Sequence, residues 1–203
     1  MINAELALAE LKAGNKRFVA GKNGSDPAAL KSRRNEVATG QTPFAVILGC
    51  SDSRVPAELV FDQGLGDLFV IRVAGNIVAP SQIGSVEFAV SQFDTRLVVV
   101  LGHTLCGAVG ATVEDLKRSS DQQSKNIQSI VNRIRPVVEP FRHTELWNDT
   151  VRLKAAAVRA NVLASANQLR HGSEILENLI ENHNLLIVCA EYNLDTGEVE
   201  FFS

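Results

Sequence analysis

Apolar positions follow two different rhythms along this chain. In the first twenty residues Ala4, Leu8, Leu11 and Phe18 share one helical stripe, with Asn3 placed to cap the first turn and Gly21 to end the helix. A second short helix is predicted after Pro27, so that residues 1–40 form an N-terminal helical arm jointed at the polar stretch Gly21 to Asp26. From Pro43 onward the rhythm changes to short continuous runs, Phe44 to Leu48, Leu68 to Val73, Leu97 to Leu101 and Leu185 to Cys189, separated by helix-like segments. Continuous runs suit strands covered on both faces, whereas a strand with one wet face alternates. The predicted fold is therefore α/β, a mainly parallel central sheet of about four strands flanked by helices. Asp195-Thr196-Gly197 reads as a hairpin turn into Glu198 to Phe202, an antiparallel edge strand. The polar stretch Lys117 to Asn126 reads as a loop. Ile127 to Glu139 and Thr144 to Arg170 read as long helices, the first interrupted by Pro136.

Composition narrows the function more than the fold. A chain of 203 residues can bury one substantial core, and one domain over 1–203, with an α/β core from 41, is the expectation. A formal net charge of −3 offers no basic face for phosphates, which argues against a nucleic-acid partner. Charges at Glu5, Glu10, Lys12, Lys16 and Arg17 break up the first helix, so neither a signal-peptide core nor a membrane span is read there, and a cytoplasmic protein is expected. Three cysteines are too few and too spread for a disulfide framework, which leaves metal binding or catalysis. Cys189 lies inside an apolar run and reads as a buried structural thiol.

The chemistry concentrates in two clusters. Cys50-Ser51-Asp52-Ser53-Arg54 follows the first apolar run, and His103-Thr104-Leu105-Cys106 follows the third. Both fall at the carboxyl ends of predicted parallel strands, the edge of an open sheet where ligands bind. Two thiols and an imidazole can supply three tetrahedral zinc ligands, and three rather than four leaves a position for water. A lone histidine after a strand is more often a hydrogen-bonded core residue, a lone cysteine more often a small buried hydrophobe, and Asp52 with Arg54 could be a structural ion pair. The joint occurrence of all five at two strand ends favours the metal. A cysteine nucleophile is the rival chemistry. A phosphatase-type loop would need arginine six positions after Cys50, where Pro56 stands, and a papain-like Cys/His pair gives Cys106 no role.

At these residues the chain resembles the β-class carbonic anhydrases. The family pattern Cys-x-Asp-x-Arg followed by His-x-x-Cys-Gly appears as Cys50, Asp52, Arg54, His103, Cys106 and Gly107, and Phe61 to Val70, Arg72 to Asn76 and Gly84 to Ala89 are similar to family segments. The resemblance implies one Zn2+ per chain held by Cys50, His103 and Cys106, with Asp52 and Arg54 as a catalytic dyad beside the open position. It implies reversible hydration of CO2 to bicarbonate by zinc-activated water, with Gln41, Phe69, Phe88 and Gly107 on the substrate side. Two thiolates should leave that water less acidic than three imidazoles would, so activity should rise into alkaline pH. Gln41, nine residues before Cys50, and the apolar Leu48, in a stretch where another subtype carries tryptophan, point to the plant-like, open-site subtype. Phe88 departs from the tyrosine common at its place. The resemblance further implies a homodimer at minimum, with the site at the interface and Gln41, Phe69 and Phe88 reaching it from the neighbour, and pairing into a homotetramer. Hydrolysis of carbonyl sulfide or carbon disulfide, or a non-catalytic zinc site closed by Asp52, are the alternatives. No proton shuttle is identified, and His143, His171 and His183 read as surface residues.

Overall fold

The computed structural model describes residues 2–22, 27–117 and 124–202. Five strands form one sheet in the order β2-β1-β3-β4-β5: β1 Ala45–Gly49, β2 Leu68–Arg72, β3 Leu97–His103, β4 Leu186–Tyr192 and β5 Val199–Phe202. The first four are parallel and β5 pairs with β4 antiparallel, as the patterning predicts. Every residue of β1 and β3 is buried, which is why these runs carry no polar alternation.

The pleat divides the core. Val46 and Leu48 of β1 face a layer with Val86 of α4 (Pro80–Gln92), Val162 and Leu169 of α7 (Thr150–His171) and Leu176 of α8 (Glu174–Asn182). Ala45 and Ile47 face the other way, toward Ala7 and Leu11 of α1 (Ala4–Val19) and Val60 of α3 (Ala57–Val60). The arm's first helix thus packs on its own sheet, a choice that the sequence leaves open. The Asn3 side chain accepts from the Leu6 amide, and Gly21 has φ +63° just past the helix end. Ala7 takes an inner position on the stripe and Leu8 is only half-buried. A third cluster joins Val109 and Val113 of α5 (Gly107–Lys117), Ile134 and Val138 of α6 (Lys125–Val138) and Leu153 and Ala157 of α7 around Cys50 and Cys106.

Element boundaries differ from expectation in three places. The second helix of the arm, α2, runs Pro27–Glu36 as predicted, with residues 23–26 outside the described set. Of the expected loop after α5, residues 118–123 lie outside the described residues, while Lys117 is helical and Ser124 caps α6 by accepting from the Ile127 amide. Pro136 does not interrupt α6, because it stands in the last turn, where one lost amide bond no longer breaks the ladder. Residues Glu145–Asn148 form a separate 3-10 turn and α7 begins at Thr150, since Asp149 accepts from the Val151 and Arg152 amides.

Candidate metal and catalytic site

Strand order creates the site. From β1 the chain crosses to β2 on one side, and β3 lies on the other, so the connections diverge at the carboxyl ends of β1 and β3. Cys50 directly follows β1, and His103 ends β3, bringing residues 53 positions apart in sequence to one crevice. Gly102 permits close packing just before His103, because a Cβ there would sit 2.4 Å from Val162 Cγ2. After His103 the chain turns sharply through Leu105, which has φ +57°. A left-handed leucine costs about 1–2 kcal/mol, a strain found where the surrounding structure imposes a function. The turn delivers Cys106 to the start of α5.

The Cys50 and Cys106 Sγ atoms lie 4.0 Å apart, and the ligand atoms of Cys50, His103 and Cys106 all lie within 4.8 Å of one another. His103 is fully buried, and its ring orientation is set by Nδ1, which donates to the Thr104 carbonyl at 2.9 Å. That bond leaves the Nε2 lone pair facing the sulfurs, and Nε2 is buried without a hydrogen-bond partner. Two thiols and an orphaned imidazole nitrogen in one buried spot fit a soft, tetrahedral divalent ion. A buried imidazole nitrogen without such a use would be a net penalty.

Asp52 and Arg54 stand beside this triad. Arg54 Nε donates to Asp52 Oδ1 at 2.9 Å and Nη2 donates to Oδ2 at 2.8 Å, a bidentate pair reinforced by the Arg54 amide at 3.0 Å. Asp52 Oδ2 is 3.8 Å from His103 Nε2. The Arg54 guanidinium holds the Asp52 carboxyl well below the usual carboxylate range, against the opposing effect of burial. Since a depressed carboxylate stays charged until the pH falls through its lowered value, Asp52 remains an acceptor throughout the neutral range.

The two thiols are unequal. The hydrogen bond from Cys106 pulls Cys50 far below the usual thiol value, helped by His103 and by the amides of Gly75 and Asp52, while burial opposes. Cys106 moves up, because its bond to Cys50 and its burial outweigh the Ala108 and Val109 amides at the start of α5. Burial disfavours charge on His103, but the neighbouring Cys50 sulfur carries it net upward. Of the two sulfurs, the surroundings favour negative charge on Cys50 over Cys106.

Other expected residues lie apart. Phe69 packs into the core that holds Val46 and Leu48, not the one that holds Cys50 and Cys106, and its ring lies 6.1 Å from Phe88 and 6.0 Å from Phe93. Phe88 is 52 % exposed, and Gln41 is exposed before β1. Gly107 opens α5 next to Cys106. His143, His171 and His183 are exposed and Cys189 is fully buried. One contributor is not marked in the sequence as a site residue: Arg72 Nε donates to the Cys50 carbonyl at 2.9 Å and Nη2 donates to the Asp52 carbonyl at 2.5 Å. Its signals are its place in the family-like segment Arg72 to Asn76 and its position at the end of the strand beside β1.

Comparison with known proteins agrees with this geometry. A family model described as carbonic anhydrase matches residues 45–199. Carbonic anhydrase 2 of Mycobacterium tuberculosis is 37% identical over 195 residues, covering 96% of this chain and 91% of that protein. The carbonic anhydrase of Mycolicibacterium smegmatis is 38% identical over 201 residues, covering 99% and 94%. Among solved structures, a β-carbonic anhydrase of Aspergillus fumigatus matches with a TM-score of 0.77 at 23% identity, over 98% of this chain and 90% of that one. Two β-carbonic anhydrases of Sordaria macrospora, described as tetrameric, are represented by a chain matching with a TM-score of 0.72 at 21% identity, over 87% and 91%. Fold, length and sequence agree, and this chain belongs to the carbonic anhydrase family, in its β class, a family of enzymes.

Proposed function

We propose that the chain catalyses reversible hydration of CO2 to bicarbonate and a proton at a zinc ion held by Cys50, His103 and Cys106. The observation that carries this reading is the buried, unpartnered Nε2 of His103 beside two thiols, one of them already favoured as thiolate. When bound, zinc supplies a Lewis acid that makes a water nucleophilic near neutral pH. The protein's own groups do the rest. Asp52, an acceptor held ionised by Arg54, takes a hydrogen bond from the reacting water and so orients its lone pair toward carbon. Both Asp52 oxygens are engaged by Arg54, which keeps the carboxylate from becoming a fourth ligand and supports the open-site subtype. Arg72 braces the same loop through its carbonyls and leaves the Asp52 side chain free for Arg54.

The substrate side is completed by a second copy. Arg54 is 53% exposed and Gln41 and Phe88 are exposed, so one chain leaves this side open. Gln41, Phe69 and Phe88 of a neighbour would wall a small apolar pocket, with Gly107 giving close backbone approach. A homodimer is thus the working unit, and the tetrameric assembly named for the Sordaria macrospora enzymes is consistent with further pairing. Thiol ligands need a reducing setting, which fits the cytoplasm. No helix among the described residues is long and apolar enough to cross a membrane.

Stopped-flow CO2 hydration at about pH 8.5, with zinc content measured on the same sample, tests the reading. Rapid turnover at one zinc per chain is expected. In Asp52→Asn, turnover should fall by about 10–100-fold while zinc stays bound. Loss of zinc in that variant would instead make Asp52 a ligand, and a zinc-loaded wild type that leaves CO2 untouched would refute the assignment.

A further inference from the structure

The crossover after β2 passes behind Cys50 in an unusual conformation. Val73 continues the pairing by donating its amide to the Gly49 carbonyl, and the chain then turns through Ala74–Asn76. Gly75 has φ +71° and Asn76 has φ +42°, two left-handed residues in succession. Glycine is required at 75 for space as well as conformation, since a Cβ there would meet Ile134 Cδ1 at 2.8 Å and Ala108 Cβ at 3.0 Å. This backbone aims the Gly75 N–H at Cys50 Sγ, at 3.3 Å.

What holds the turn is the face of α7 behind it. That face is built of Leu153, Ala157, Val158, Val162, Ala166 and Leu169, all buried, yet it also carries Asn161 and Ser165, only 2 % and 4 % exposed. One helical turn apart, the two point the same way. Asn161 Nδ2 donates to the Gly75 carbonyl at 2.7 Å, and Ser165 Oγ donates to the Asn76 carbonyl at 3.0 Å. Polar groups in an apolar stripe are penalised unless they bond, and these two spend their bonds on the carbonyls of one short turn. The turn's outward amide meets a metal-ligand sulfur. Hydrogen bonds to a ligating group orient it and adjust how strongly it donates to the metal.

We propose that Asn161 and Ser165 are positioning residues, which act through Gly75 to fix the N–H bond to Cys50 Sγ and thereby set that thiolate's donor strength and hold on the metal. The proposal rests on the reading that Cys50, His103 and Cys106 bind zinc. Removing either residue frees the turn, lengthens the bond to sulfur and leaves Cys50 more electron-rich but less well oriented.

The test is made on full-length protein loaded with Co(II), whose thiolate charge-transfer absorption reports the sulfur directly, and with Zn(II), whose loss to a chelator is followed in time. Asn161→Leu keeps the branched shape but has no donor, and Ser165→Ala removes a single hydroxyl. Ala166→Gly, on the same helix and buried in the same layer, weakens α7 without touching the turn and serves as control. The thiolate band should move to lower energy in Asn161→Leu and less far in Ser165→Ala, with zinc lost about tenfold faster in the former. Ala166→Gly should match wild type in both. Should Asn161→Leu fail to fold, Ser165→Ala decides alone. Wild-type spectra and rates in the donor-less variants, or the same shifts in Ala166→Gly, would overturn the proposal and reduce both residues to packing. A wild-type protein that gives no thiolate band with cobalt would overturn the metal reading itself, before any variant is compared.

Discussion

The proposed metal half of the site and its proposed substrate half differ in how much one chain supplies. Cys50, His103 and Cys106 are buried, held by the Gly75 amide on Cys50, the Thr104 carbonyl on His103 and the contact between the two sulfurs, and their ligand atoms lie within 4.8 Å of one another. Gln41 and Phe88 are exposed, and Phe88 packs edge-on against Phe93, ring centroids 5.8 Å apart, in a cluster with Phe69. The contrast follows from what each half must do. Three ligands fit an ion only when their positions are set within fractions of an ångström, which buried backbone-anchored groups provide. A pocket for a small apolar substrate needs only walls, and a second subunit can bring those. The same reasoning explains the paired cysteines. Cys50 and Cys106 sit at strand and helix ends where backbone amides reach their sulfurs, whereas Cys189 lies fully buried in mid-strand, inside the apolar core.

Breaking the metal half should have the largest effect. Cys106→Ser is expected to leave the chain folded, since no disulfide is lost, but nearly metal-free, with CO2 hydration down by about a thousandfold or more. Cys189→Ala, equally conservative but away from the crevice, should retain one zinc per chain. Zinc content by atomic absorption and turnover on the same samples check both, and a Cys106→Ser enzyme that keeps its zinc and its rate would remove Cys106 from the ligand set.

Breaking the substrate half should separate assembly from metal binding. Phe88→Glu puts a charge at the exposed position of α4 that packs against Phe69 and Phe93, where a dimer contact would have to desolvate it. Dimers should dissociate in sedimentation velocity and turnover should drop by about tenfold or more, with zinc still near one per chain. If the variant remains dimeric and fully active, or if the wild type is an active monomer, the substrate half belongs to a single chain after all.

The difference between the halves also governs what could be read in the sequence. The strands were legible because burial on both faces leaves continuous apolar runs, and the candidate ligands stood out because few residue types bind zinc and each cluster follows such a run. Adjacency of β1 and β3, which unites the clusters, follows from the rules of parallel sheets but is stated by no local pattern. The roles of Arg72, Asn161 and Ser165 are unmarked in the sequence for a different reason. They act on backbone carbonyls, so no residue type at the receiving end marks the contact. Asn161 and Ser165 did leave a trace, two polar positions one turn apart on an apolar face of α7. The boundary at Asp149 was recoverable too, since aspartate is a stronger cap than Thr144.

The smallest effect is expected at Gln41, and it tests the comparison most finely. The residue is exposed and precedes β1, outside the buried triad, so Gln41→Ala should change stability by less than about 0.5 kcal/mol and zinc content not at all. If its amide reaches a neighbour's substrate, the loss is one hydrogen bond between neutral groups, worth about 1 kcal/mol, or about fivefold in kcat/KM. Because the amide would hold substrate and product rather than the metal, most of that loss should fall on KM, with kcat little changed. Steady-state CO2 hydration over a range of substrate concentrations separates the two constants. A fall in kcat with KM unchanged would mean that Gln41 acts on the reacting atoms. No change in either would confine substrate recognition to Gly107 and the aromatic walls, and the substrate half would then be a matter of shape alone.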